Sequence, residues 1–173
     1  MSISTDPLFQ PYTLKHLKLK NRIFSACHEP FLTEESMPKE RYRLYHEEKA
    51  RGGIGMSMIG GSAVVSQDSP GTFGNVDFSD DKIIPWLQKL ADTLHRYECA
   101  AITQITHMGR RSSWAQGNWL PLVWSSCQRE MAHRRFPKIA EEEDIARIIK
   151  DYGQAARRAK EGRLDGVEIL TFS

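Results

Sequence analysis

At 173 residues, with 40% hydrophobic and 9% aromatic content, the chain carries enough apolar material for the core of one domain of ordinary size. Its 24 basic and 22 acidic residues leave a formal charge of +2, which excludes any general electrostatic attraction to nucleic acid or to an anionic membrane. No stretch approaches the roughly 20 apolar residues of a membrane span, and "MSISTDPLFQ" lacks a cationic segment followed by an apolar run. The expectation is a soluble, cytoplasmic protein. Cys27, Cys99 and Cys127 are odd in number and lack metal-ligand spacing, so free thiols are expected and no metal site.

In chain order, "YTLKHLKLKN" (12–21) alternates apolar with polar residues and predicts a small exposed strand or hairpin. "NRIFSAC" (21–27) is a short apolar run, and "MPKERYRLYHEEKARGG" (37–53) reads as a helix with Pro38 in its first turn and glycines at its end. "IGMSMIGGSAVV" (54–65) predicts a second buried strand. Asp80 or Asp81 can cap a helix in which Ile83, Leu87, Leu90, Ala91 and Leu94 share one face. "CAAITQIT" (99–106) is a third strand. A helical stripe of Ile145, Ile148, Ile149, Tyr152, Ala156 and Ala159 then precedes a fourth strand, "DGVEIL" (165–170).

Strands apolar on both faces, separated by amphipathic helices, predict a parallel sheet of right-handed crossover units, so the class is α/β. A doubly wound dinucleotide fold requires a Gly-rich turn leading from strand into helix, whereas "GGIG" (52–55) precedes its strand. A barrel places its polar site residues where strands end. The exits Cys27-His28-Glu29, Gly60-Gly61-Ser62 and Gln104-Thr106-His107 fit the barrel. The connection from about His107 to Glu141 is long for a compact domain and contains Trp114, Trp119 and Trp124, which predicts a folded lid or wall beside a pocket.

"LKNRIFSACHEP", "QITHMGRRS" and "DGVEIL", in this order and at these separations, resemble the Old Yellow Enzyme family of FMN-dependent (β/α)8-barrel oxidoreductases, the NADH:flavin oxidoreductases. "SACHEP", "MPKERYRLYHEEKARGG", "SPGTFGN" and "DIARIIKDY" resemble the branch that holds trimethylamine dehydrogenase, dienoyl-CoA reductase and the demethylases of dimethylglycine and N-methylproline. The resemblance implies FMN as cofactor, with NAD(P)H as a reductant in the intact family, and hydride transfer through the flavin. It also implies that Ala26, Cys27 and His28 lie against the flavin, that Gly60 or Gly61 supplies a close backbone contact, and that Gln104 bonds the pyrimidine edge. Glu29, aligned with the family's flavinylated cysteine, faces the substrate on this reading, as do His107 and Trp114. A small methylated amine suits Glu29 by charge and the tryptophans by cation–π contact, while an enone is the other substrate class. Each residue also has a plainer role open to it: Gln104 can satisfy a neighbouring backbone group, and His28 can be a surface histidine.

A complete barrel needs roughly 250 residues and eight strands, so the expectation is a single partial domain over 1–173, the N-terminal half of a TIM barrel with about four parallel strands. Such a chain is expected to be inactive alone, and to associate with itself or with a complementing C-terminal half. A non-catalytic remnant, or a metal-dependent hydrolase using His28, His107 and His133, are the alternatives.

Overall fold

The computed structural model describes residues 5–71, 74–112, 123–124, 131 and 137–171. The segment predicted over 12–21 is an antiparallel hairpin, β1 (Tyr12–Leu14) and β2 (Leu17–Leu19), with Tyr12 opposite Leu19. β3 (Phe24–Ser25) follows, and then helix α1 (Glu40–Arg51). Pro38 lies before the Lys39 cap rather than inside the first turn. Tyr42, His46 and Ala50, spaced by four, are the buried face of α1, while Arg43 pairs with Glu40 and Glu47 across the exposed turns.

β4 (Met56–Val64) leads to a turn capped by Asp80, whose side chain accepts from the Lys82 amide at 2.9 Å. Helix α2 (Ile84–His95) continues from it. Ile83, Leu87, Leu90, Ala91 and Leu94 are all fully buried, as their periodicity predicts. β5 (Ala100–Thr106) and a two-residue parallel pair, β6 (Val123–Trp124) and β7 (Lys138–Ile139), precede helix α3 (Glu142–Glu161) and β8 (Gly166–Leu170). Acidic residues in the first turn of α3 and Arg158 and Lys160 in its last complement the helix dipole.

β3, β4, β5 and β8 form one four-stranded sheet in chain order, with every pairing parallel. Side chains alternate between its faces. Ile59, Ala101 and Ile105 point to the helices and join Tyr42, Leu87, Leu90 and Leu94 in the core. The other face carries Phe24, Met56, Met58, Gly60, Ile102, Gln104 and Glu168, as the register Phe24↔Met56, Gly60↔Gln104 and Gln104↔Glu168 requires.

Of the stripe predicted on α3, Ala159 is buried and Ile148, Tyr152 and Ala156 are half-buried, but Ile145 and Ile149 are 48% and 67% exposed, and the buried Ala155 lies outside the predicted set. The close approach of α3 to α2 is made at its C-terminal end, where a Cβ on Gly162 would lie 2.5 Å from that of Leu87. Arg147, on the N-terminal half of α3, reaches Asp68 at 2.6 Å, and Val167 and Ile169 of β8 are exposed as well.

Candidate functional site

The carboxyl ends of β3, β4, β5 and β8 gather the residues singled out by the sequence. In β4 the pairing with β5 slips between Gly60 and Ala63, so that Gly61 and Ser62 bulge out of the ladder. Gly60, Gly61 and Ser62 have φ of 85°, 121° and 69°. The glycine at position 61 has a definite cause: a Cβ there would sit 2.4 Å from the Glu29 amide nitrogen and 2.5 Å from the His28 carbonyl carbon. The missing side chain lets the exit of β3 cross directly over the bulge. Tyr42 and Asn75 hold the bulge from either side. The Gly60 amide donates to the Tyr42 hydroxyl at 2.8 Å, and Asn75 Nδ2 donates to the Gly61 and Ser62 carbonyls at 3.2 and 3.1 Å.

Gln104 is 9% exposed. Its Oε1 accepts from the Ser62 amide at 3.0 Å, and its Nε2 donates to Glu168 Oε1 at 2.6 Å. Satisfying a neighbouring backbone group is thus part of what Gln104 does. A carboxamide has two donor hydrogens and two acceptor lone pairs, so one of each is left beside the strand ends.

Of the residues leaving β3, Ala26 and His28 are exposed and Cys27 and Glu29 half-buried. His28 Nε2 is hydrogen-bonded to the Tyr45 hydroxyl at 2.8 Å, with the two rings edge-on. Burial, then the charge of Glu168, pushes the Cys27 thiol up. Glu29 Oε1 accepts from the Phe31 amide at 3.2 Å, whereas Oε2 is buried without a hydrogen bond. Burial pushes the Glu29 carboxyl up to about 7, against the opposing pull of the Phe31 and Val76 amides. Behind this exit, His46 is buried with Nδ1 2.8 Å from Ser57 Oγ. Burial, then the charges of Lys49 and His28, push it down to about 3, so it is neutral at physiological pH.

His107 is drawn to the rim. Its side chain is 6% exposed, Nδ1 accepts from the Gly109 amide at 3.1 Å, and Nε2 lies 3.3 Å from Asp68 Oδ1. Because Nδ1 accepts, the neutral ring carries its proton on Nε2 and donates it to Asp68. Asp68 also pairs with Arg147 at 2.6 Å and accepts from Ser66. Burial disfavours the ionised carboxyl, but these hydrogen bonds outweigh it and hold Asp68 well below the usual carboxylate range. Both nitrogens of His107 are therefore engaged by the protein.

Trp114 and Trp119 lie outside the described residues, as do Cys127 and His133. Cys27 and Cys99 are free thiols. Among the described residues no three His, Cys, Asp or Glu side chains come together as metal ligands, and no helix is long and apolar enough to cross a membrane. Tyr42, Asn75, Asp68, Arg147 and Glu168 escaped the sequence reading. Only Glu168 had a signal there, since alternation within "GVEIL" puts it on one face with Gly166 and Leu170.

The profile of the NADH:flavin oxidoreductase / NADH oxidase family matches residues 7–172. The chain belongs to that family. It is 53% identical over 167 residues to a probable N-methylproline demethylase of Rhizobium meliloti, covering 96% of this chain and 25% of that protein. It is 47% identical to a multifunctional alkene reductase/demethylase of Caballeronia cordobensis, over 95% of this chain and 24% of the relative. An N,N-dimethylglycine/sarcosine dehydrogenase of Chromohalobacter salexigens is also 47% identical, with the same coverage. The chain thus spans about a quarter of the length of these relatives.

Among solved structures, morphinone reductase superposes with a TM-score of 0.84 at 24% identity, over 98% of this chain and 49% of that one. Old Yellow Enzyme from Pichia sp. gives 0.86 at 17%, over 94% of this chain and 45% of that one. These likenesses establish the fold: the four parallel strands and their helices are half of a TIM barrel of the Old Yellow Enzyme type. In TIM barrels as a class, active sites lie at the carboxyl ends of the strands.

Proposed function

We propose that these strand ends form one side of an FMN site in an oxidoreductase whose substrate is a small methylated amine. The carrying observation is Gln104, a buried carboxamide pinned at both ends and left with one donor and one acceptor to offer. That pair matches the alternating donor and acceptor atoms of a pyrimidine edge. Gly60, the bulge that begins at Gly61, and the exposed residues Ala26 and His28 would lie beside the same ring, with Cys27 at its margin. Bound FMN would supply the two-electron acceptance that oxidative N-demethylation needs, with NAD(P)H as the other reductant used in the family.

Glu29 is the residue suited to the substrate. Its carboxyl is neutral below about pH 7 and ionised above it, and an ammonium placed nearby would favour the ionised form. His107, held by Asp68, would act as a wall of the pocket, and Trp114 would contribute from the loop beyond it. The names of the demethylase relatives support the amine, and the alkene reductase keeps an enone as the second substrate class. Titration of the chain with FMN, followed by turnover assays with N-methylproline, dimethylglycine and an α,β-unsaturated ketone, tests the reading. Turnover of the ketone alone would remove the demethylase assignment.

A second reading is a half-barrel subunit or non-catalytic remnant that requires a complementing half. It is favoured by the exposure of Phe24 at one sheet edge and of Val167 and Ile169 at the other, together with Ile145 and Ile149. Exposed apolar edges are templates for association. Light scattering on the chain alone, and on the chain co-expressed with the remaining length of a relative's barrel, separates the two: a yellow monomer from the single chain would refute the need for a partner.

A further inference from the structure

Gln104 and Glu168 are register partners on adjacent parallel strands, and their side chains lie on the same face of the sheet. Glu168 Oε1 receives a hydrogen bond from Gln104 Nε2 at 2.6 Å, and on the other side the Ser62 amide donates to Gln104 Oε1 at 3.0 Å. The chemistry of these two neighbours is one-sided. A carboxylate only accepts, and a backbone N–H only donates. Rotating the carboxamide by half a turn would set NH2 against N–H and C=O against carboxylate, turning two good contacts into two repulsive ones. Of the two, the bond to the carboxylate is the charge-assisted, stronger one, and the backbone donor is neutral.

We propose that Glu168 is a positioning residue that sets which end of the Gln104 carboxamide presents its donor, and so fixes the hydrogen-bonding polarity offered to the ligand edge. The proposal deepens the flavin reading and rests on it for the identity of that ligand. Glu168 leaves the Gln104 oxygen toward β4 and the nitrogen toward β8, so a bound ring meets an acceptor on the β4 side and a donor on the β8 side. Without Glu168 only the Ser62 amide holds the orientation, so the flipped form gains population, and a ligand that needs the other form binds more weakly by the fraction lost.

The test uses the full chain, with Glu168→Leu, Glu168→Gln, Gln104→Leu and the double variant Gln104→Leu/Glu168→Leu. In nitrogen-15 spectra the Gln104 side-chain NH2 should exchange with solvent at least about tenfold faster in Glu168→Leu than in wild type. Glu168→Gln, which can turn its own amide oxygen to Gln104, should restore most of the protection. Unchanged exchange in Glu168→Leu, or no rescue by Glu168→Gln, would overturn the proposal. In FMN titrations, Glu168→Leu should weaken affinity up to about twofold in the wild-type background, less than Gln104→Leu does, and hardly at all beside Gln104→Leu. Additive losses would mean that Glu168 acts elsewhere and also overturn it. If Gln104→Leu leaves FMN affinity unchanged while exchange still responds to Glu168, the flavin reading fails and the positioning role stands.

Discussion

Gly61 and Glu29 are in backbone contact: the bulge of β4 passes so close beneath the exit of β3 that an added Cβ at Gly61 would lie 2.4 Å from the Glu29 nitrogen. Because φ at Gly61 is 121° as well, Gly61→Ala is penalised twice. Overpacking alone costs about 1–3 kcal/mol, and the positive φ adds on the order of 1 kcal/mol. Gly153 in α3 is the control, since a Cβ there meets nothing within 4 Å. Gly153→Ala should stabilise the chain by up to about 1 kcal/mol. Urea unfolding of the two variants should therefore move in opposite directions, and a neutral Gly61→Ala would contradict the contact.

Tyr42→Phe removes the acceptor of the Gly60 amide, 2.8 Å away, and leaves a buried N–H without a partner. The expected loss is about 1–3 kcal/mol. Tyr42 is fully buried and its volume is nearly conserved in phenylalanine, so packing contributes little. Faster hydrogen exchange at the Gly60 amide identifies the cause. Slow exchange there in the variant would show that another acceptor takes over.

Glu29 gives the fold a pH dependence of definite sign. Its folded-state pKa of about 7 lies above the ordinary value of 4.5, so its contribution to stability is fully present below about 4.5 and is lost as pH rises through 7. Glu29→Gln removes the buried charge. Thermal unfolding should find the variant gaining on wild type between pH 5 and pH 8.5, and parallel curves would count against the burial of this carboxyl. Binding of a methylated ammonium, if Glu29 faces it, should strengthen over the same interval.

For Asp68 the sign is opposite. Its folded-state pKa is depressed below the ordinary 3.8, so the stability it contributes is present above that value and disappears only in strong acid. At pH 7, Asp68→Asn should cost about 1–3 kcal/mol by weakening the bonds from Arg147, Ser66 and His107. Arg147→Ala should cost less, because the Arg147 side chain is 39% exposed. An order reversed in chemical denaturation would show that Arg147, not Asp68, is the centre of the cluster.

The strand–helix order was legible in the chain because each element carries its own period: Leu87, Leu90 and Leu94 point one way on α2, and Ile59, Ala101 and Ile105 point to the same core. Ile145 and Ile149 fit the period equally well and are exposed, since periodicity marks a face without saying what covers it. Gln104 was legible from its place at a strand end. Its two partners were not: Ser62 reaches it only because β4 bulges, and Glu168 only because β8 adds to the sheet in a particular register. The Asp68–Arg147 pair joins residues 79 apart along the chain, a distance at which local patterns carry no information.

The bulge in β4 contains two residues rather than one, and in a two-sided sheet that parity matters. Gly60 pairs with Gln104 and Ala63 with Ile105, so Ala63 and Val64 resume the ladder on the faces they would have occupied without the interruption. Gly61 and Ser62 thus form a cassette that an exchange of genetic material could lengthen or excise in pairs while leaving the hydrophobic interior untouched. Loss of a single residue would leave one bulged residue ahead of Ala63, and the core would then depend on that bulge absorbing the broken alternation. Changes of two residues thus disturb the interior least, although they reach the seat of Gln104 and the crossing of Glu29 directly.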